Sequence, residues 1–201
     1  MLTRLRRDGR GVTSVEFALV ALPLCIMIMG GFDLGHQAYI RSVLQGALTD
    51  AARRASVQNP QFNASGNTTE DQVKATILQQ LQAITPNATI TVSESNFYDF
   101  SNIGNPEKLM TDVNGNGKYD AADGDCFSDL NENGKYDSDS SRNGIGGAND
   151  VVFYKANIVM PRLLPVAQLL GFSPNYRMTV ETAIRNQPYG TQKTPPIVCG
   201  S

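Results

Sequence analysis

The sequence predicts an α+β fold. A long N-terminal helix, half membrane-spanning and half amphipathic, packs on a small antiparallel sheet, and an acidic segment is inserted between strands. Three observations carry this. Residues 12–32 hold one charge, Glu16, in an otherwise apolar run. From Ile40 to Ala55 apolar residues recur at spacings of three and four. Residues 99–150 hold 11 of the 19 acids against four bases, with 8 of the 18 glycines, and short alternating segments lie on either side.

Length and charge narrow the function. A chain of 201 residues fits one globular domain plus an accessory segment, not a large multidomain enzyme. A formal charge of -2 gives no argument for nucleic acid, and none is expected as a partner. The single histidine, His36, removes His-rich metal sites. Neither a Gly-rich phosphate loop, a nucleophile elbow nor a Cys-His pairing is present, so the chain reads as a non-enzyme.

The chain divides into a basic leader, 1–11, an apolar rod, 12–32, and a domain, 33–201, that contains the acidic insert, 99–150. Arg4, Arg6, Arg7 and Arg10 oppose only Asp8 in the leader. A helix over Val12–Phe32 is roughly 31 Å long, one bilayer core. The arginines precede it, which places the N-terminus in the cytoplasm and the rest of the chain outside. Pro23 is tolerated in a membrane helix and predicts a kink. A cleaved secretory signal fails because D-L-G-H-Q-A-Y-I after Phe32 offers no small-x-small site. A lipoprotein signal fails because Pro23 and Leu24 precede Cys25. A plain anchor has no use for Glu16, since a carboxylate within an apolar helix is costly.

The helix continues through Ile40, Val43, Leu44, Ala47, Leu48, Ala51 and Ala55, with Asp50 and Arg54 an i,i+4 pair, and Asn59-Pro60 stops it. His36 and Arg41 lie on its polar side, and His36 reads as an interfacial residue rather than a ligand. Residues 58–68 are a polar loop. Thr68 or Thr69 caps a second helix with Val73, Ile77, Leu78, Leu81 and Ile84 apolar, ended by Pro86. Ala88–Ser93, Val151–Met160 and Met178–Arg185 read as strands, and Leu163–Leu170 as a short helix closed by Gly171.

The junction R-D-G-R-G-V-T-S-V-E-F resembles the type IV prepilin signal: a basic leader, Gly11 before the cut, Glu16 at the fifth mature position, then the apolar stretch. V-T-S-V-E-F-A-L-V resembles the TadE-like branch, the pseudopilins of tight-adherence (Flp) pilus systems. The resemblance implies a pilin-like fold. It implies a cut between Gly11 and Val12 by a membrane prepilin peptidase, of which this chain is the substrate. The ammonium of Val12 would then pair with Glu16 of a neighbouring subunit, setting the registration of subunits. It implies other pilins and pseudopilins and the pilus assembly platform as partners. The location implied is the bacterial inner membrane, single-pass, with the domain periplasmic, or at the cell surface in an assembled pilus. A mature chain starting at Val12, of 190 residues, departs from a major pilin and points to a minor or accessory subunit.

The acidic insert carries a repeat. D-V-N-G-N-G-K-Y-D-A-A-D starts at Asp112 and D-L-N-E-N-G-K-Y-D-S-D-S at Asp129, both with N-G-K-Y-D. These resemble the calcium loops of EF-hands and dockerins, in which oxygen ligands alternate along a tight turn and a Gly at the sixth position permits it. The first copy offers Asp112, Asn114, Asn116, the Lys118 carbonyl, Asp120 and Asp123. The second offers Asp129, Asn131, Asn133, the Lys135 carbonyl and Asp137, then Ser140, a poor twelfth ligand that Asp139 replaces by a shift. Structural calcium is therefore the expected cofactor. With few apolar residues, the insert is not expected to fold by its own burial. In an oxidising compartment Cys126 and Cys199 are the pair available for a disulfide, with Cys25 left over. The competing reading is a membrane-anchored, calcium-dependent adhesive or binding domain that never enters a pilus.

Overall fold

The computed structural model describes residues 11–164, 168 and 171–200. The arginines of the leader, and most of the short helix expected over Leu163–Leu170, lie outside the described residues.

Helix α1 spans Val12–Ala55 and runs unbroken through Pro23. In its first half the most apolar window carries no buried residue. Burial begins at Asp33 and then follows the predicted stripe through Ile40, Leu44, Ala47, Leu48, Ala51, Ala52 and Ala55. Helix α2, Thr69–Gln82, is capped by the Thr68 hydroxyl, which accepts from Asp71 N at 3.1 Å. Val73, Ile77 and Leu81 turn inward, one face of a 3.6-residue period.

Among the described residues seven strands follow: β1 (Thr89–Phe97), β2 (Lys108–Thr111), β3 (Cys126–Ser128), β4 (Arg142–Asn143), β5 (Val151–Pro161), β6 (Asn175–Arg185) and β7 (Ile197–Cys199). They form a four-stranded sheet ordered β4-β1-β5-β6 and a three-stranded sheet ordered β2-β3-β7, antiparallel throughout. The α+β architecture, a long helix on an antiparallel sheet, is as the sequence predicted. The sheet differs in having a fourth, edge strand, and β1 runs on to Phe97, where the expected strand stopped at Ser93.

The main core is one layer of helix on one face of the sheet. Leu44, Leu48 and Ala51 of α1 and Ile77 and Leu81 of α2 pack with Val92, Tyr154, Ala156, Ile158, Met160 and Val180 of the strands. Strand β6 runs alongside α1 in the same direction. The Tyr176 hydroxyl donates to Asp33 O (2.7 Å), Gln45 Nε2 to Glu181 O (3.2 Å), and Gln187 N to Ser56 O (2.8 Å). The turn joining β5 to β6 therefore lies where the apolar half of α1 begins, and the acidic insert lies at the opposite end. The helix from residue 32 to 55 separates the two by roughly 34 Å at 1.5 Å per residue.

The insert has a core of its own, a correction to the sequence expectation. Tyr119 and Tyr136, the tyrosines of the two N-G-K-Y-D copies, stack with ring centroids 4.6 Å apart. Each meets Phe127 edge-on, at 5.1 and 5.5 Å. Phe127 is fully buried, and Cys126 is joined to Cys199 by a disulfide across the β3–β7 pair. Composition hid this because three aromatic rings, two from separate turns and one from strand β3, supply the burial.

Candidate functional site

Two regions carry the residues singled out by the sequence. The first is the apolar half of α1. Gly11 precedes it with φ -97°, a conformation open to any residue, and among the described residues nothing beyond its own chain neighbours and helix backbone lies within 4 Å of where its side chain would be. Among the described residues nothing packs on Gly11 from outside its own helix, and Val12, Val15, Phe17, Leu19 and Val20 are exposed. Glu16 stands among them, exposed on the bare rod. The apolar surface around it is not buried by the described residues.

Where the rod meets the domain, the structure adds a constellation the sequence reading missed. Asp33, 7% exposed, receives Arg162 Nη1 on Oδ2 at 2.7 Å. The guanidinium lies 4.4 Å from the centre of the Tyr176 ring. Burial alone would raise the Asp33 pKa, but the Tyr176 hydroxyl and the Arg162 charge outweigh it and hold the carboxyl below its usual value. Arg162 Nε also donates to Ser173 O (2.8 Å) and its backbone N to Pro174 O (2.9 Å). One arginine thus ties the base of the β5–β6 turn to the helix.

The second region is the pair of acidic turns, which share one hydrogen-bond plan. In the first, Asp112 accepts from Gly115 N and Asn116 N on Oδ1 (2.7 and 3.2 Å) and from Gly117 N on Oδ2 (2.7 Å). Asn114 Oδ1 accepts from Asn116 N (3.0 Å), Asn116 Oδ1 from Lys118 N (2.7 Å), and Asn114 Nδ2 donates to Asp123. In the second, Asp129 accepts from Asn133 N (3.1 Å) and Gly134 N (2.7 Å), and Asn133 Oδ1 from Lys135 N (2.7 Å). Gly117 and Gly134 both have positive φ, 74° and 76°, the conformation the motif requires at its sixth position. At the fourth position Gly115 has φ 72°, and Glu132 takes the same left-handed backbone at φ 60°.

Each turn is also held by a buried carboxylate from outside the repeat. Asp125, fully buried, accepts from Val113 N (2.8 Å) and Asp120 N (2.9 Å). Glu107, 2% exposed, accepts from Leu130 N (2.7 Å) and Asp137 N (3.1 Å). These are the second and ninth positions of the respective repeats. Burial pushes the Glu107 carboxyl up, against the opposing pull of the Asp137, Leu130 and Asn131 amides. Asp137 is held low by the Asn131 and Asn133 amides.

The expected ligand sets are only partly brought together. The donors in each turn are Asp and Asn oxygens, the hard set that calcium takes. Among the described residues, however, no three His, Cys, Asp or Glu side chains converge as a metal-binding group. Asp120 caps the helical turn Ala121–Asp123 through Ala122 N (2.9 Å). Ser140 is fully buried and directed at the Asn102 and Asn105 carbonyls (both 3.4 Å). Asp139 accepts from Ser141 N (3.0 Å).

A family model described as TadE-like protein matches residues 11–53. The matched stretch opens at Gly11 and covers nearly all of α1, both the bare rod and the half that packs on the sheet. Neither a curated protein nor a solved structure is matched by the chain.

Proposed function

We propose, from a TadE-like helix whose apolar half has no partner among the described residues, that this protein is a TadE-like pseudopilin. It acts as a structural or assembly subunit in Flp (tight-adherence) pilus biogenesis. The observation that carries the reading is the coincidence of the family match, residues 11–53, with a helix divided at Asp33 into bare and packed halves. The TadE-like family is pilus-associated and structural rather than enzymatic.

The finer steps follow from chemistry. A prepilin peptidase cuts the unhindered Gly11–Val12 bond on the cytoplasmic face. The new Val12 ammonium meets Glu16 of an adjacent subunit, which neutralises a carboxylate otherwise stranded in lipid. Calcium, bound by the oxygens of Asp112, Asn114 and Asn116 and of Asp129, Asn131 and Asn133, reinforces turns already shaped by Asp125 and Glu107. The insert projects from the end of the domain far from the membrane, which also suits the second reading, an anchored adhesive domain.

The deciding experiment is the mature N-terminus by mass spectrometry. A chain beginning at Val12, and an uncut but membrane-inserted precursor with Gly11→Asp, are the expected results. A terminus near residues 30–36 would refute the pseudopilin reading. Calcium is tested by melting the protein with calcium or with chelator. At calcium twenty-fold above Kd a site adds about 1.8 kcal/mol, and Asp112→Ala should abolish the gain at the first turn. Identical curves would leave the turns as hydrogen-bonded loops.

A further inference from the structure

The β5–β6 turn exposes large apolar side chains at the level where α1 becomes bare. Leu163 is 56% exposed and Phe172 63%, and Phe32, on the helix beside Leu163, is 67% exposed. Leu163 shares one open groove with Ile28, Gly31, Phe32, Gly35 and Tyr39. From Leu163 to Phe172 the sequence, L-L-P-V-A-Q-L-L-G-F, contains no charge. A turn between two strands is ordinarily polar, because it faces water.

The level of this turn is set by bonds already described. Arg162 holds Asp33, Ser173 and Pro174 together, and Tyr176 holds the backbone of Asp33. If Val12–Phe32 fills the hydrocarbon core, the headgroup zone beyond it is roughly 5–7 Å deep. Residues 33–36 climb about 6 Å along the helix axis, which is that same zone. The turn is anchored beside those residues.

Charge points the same way. Arg41, Arg162 and Arg177 lie near this end with Asp33 the one acid among them, whereas residues 99–150 at the far end carry 11 acids against four bases. The end with the exposed apolar turn is the cationic end, as an anionic lipid surface requires. Tyr39, 54% exposed, stands where interfacial aromatics collect.

We propose that Leu163 and Phe172, near the two ends of the β5–β6 connection, make a second membrane contact at the headgroup–acyl boundary, so that the domain stands on the bilayer at two points rather than swinging from one helix. The proposal rests on the reading that the apolar half of α1 spans a membrane. Two contacts remove the rotation of the domain about the helix exit point, so the insert is presented in one direction.

The chain has no tryptophan, so each introduced one reports alone. Full-length protein carrying Phe172→Trp, Phe17→Trp or Phe100→Trp is placed in phosphatidylcholine–phosphatidylglycerol vesicles whose acyl chains are brominated either high or low. The Phe17→Trp protein should be quenched by the low bromines. The Phe172→Trp protein should be quenched by the high bromines and its emission shifted to the blue. The Phe100→Trp protein, labelled on the insert side, should be unaffected. If Phe172→Trp behaves like Phe100→Trp while Phe17→Trp is quenched, the proposal is overturned and the membrane helix stands. Emission from Phe172→Trp that is blue-shifted yet unquenched means that protein covers the patch, and also overturns it. An unquenched Phe17→Trp overturns the membrane reading and the proposal with it.

Discussion

Replacing Cys126 and Cys199 by serine tests how the insert is held. The bond closes a span of 73 residues that includes β4, β5 and β6. Chain entropy gives such a loop about 4.4 kcal/mol at 25 °C. For a chain of this size that is about 9–18 °C in Tm. Locally the effect is larger than the figure suggests. Strand β7 has three residues, paired with β3 at Cys126–Cys199, Phe127–Val198 and Ser128–Ile197. Beyond that ladder the tail is fixed by Asp129 N to Pro196 O (2.9 Å) and Gly200 N to Asp125 O (2.8 Å), by Gln192 Nε2 to Tyr98 O (2.8 Å) and Asp150 Oδ1 (2.9 Å), and by the exposed Lys193–Glu132 ion pair. A hydrogen bond nets about 1 kcal/mol, whereas ordering each backbone residue costs about 1–2 kcal/mol. Without the covalent link the tail detaches before the main sheet melts. The assay is hydrogen exchange with trypsin digestion, comparing the native protein with Cys126→Ser/Cys199→Ser. Cleavage after Lys193 and exchange at Phe127 should rise while β1 and β5 stay protected. Unchanged cleavage and an unchanged Tm would show that the short sheet stands without its bond, and the reasoning would fail.

Arg162→Ala should cost about 2–3 kcal/mol in denaturant titrations, because it leaves a buried carboxylate unpaired; Asp33→Leu/Arg162→Leu should cost less, and equal losses would show that the ion pair is not the source. Glu94 lies under α2 facing Glu70, Asp71 and Lys74, and burial followed by the Glu70 charge raises its pKa to about 7 from 4.5. The folded state therefore holds a proton that the unfolded chain releases, so stability is full below pH 4.5 and falls as pH rises to about 7. Glu94→Gln should flatten that slope, worth about 1–2 kcal/mol after solvent screening, and an unchanged pH profile of urea midpoints would exclude Glu94 as its cause. Gly117→Ala should lose about 1 kcal/mol to left-handed strain. Glu132→Gly should be near neutral, since relief of the same strain offsets loss of the Lys193 and Arg142 ion pairs; equal and large losses in both would mean the φ values are not what matters.

The residues that repeat with a local period were legible in the sequence. The apolar rod, the buried stripe of α1 and the inward face of α2 follow from spacings of three and four, and the long strands from alternation. Strands β2, β3, β4 and β7 were not legible, because segments of two to four residues carry no period and are defined by distant partners. The same limit hid the carboxylates that hold the acidic turns. Asp125 sits just beyond its repeat, but Glu107 accepts from amides 23 and 30 residues away. Arg162 meets Asp33 across 129 residues. One signal was available: Asp33 is a lone acid seven residues before Ile40, on the stripe that packs. A carboxylate on a packing face needs a cation from another element.

The alignment of β6 with α1 has a mechanical meaning. A pull along the helix axis, from the membrane end toward the insert, runs along the strands. The β1–β5 ladder pairs nine residues on each strand and the β5–β6 ladder eleven. Under such a load the strands slide past one another, and every rung must yield together. A force applied across the sheet would instead unzip the rungs one at a time. The domain is thus stiffest along the direction in which a tether to the membrane would be tensioned, and weakest to a sideways tug on its edge strand, β4.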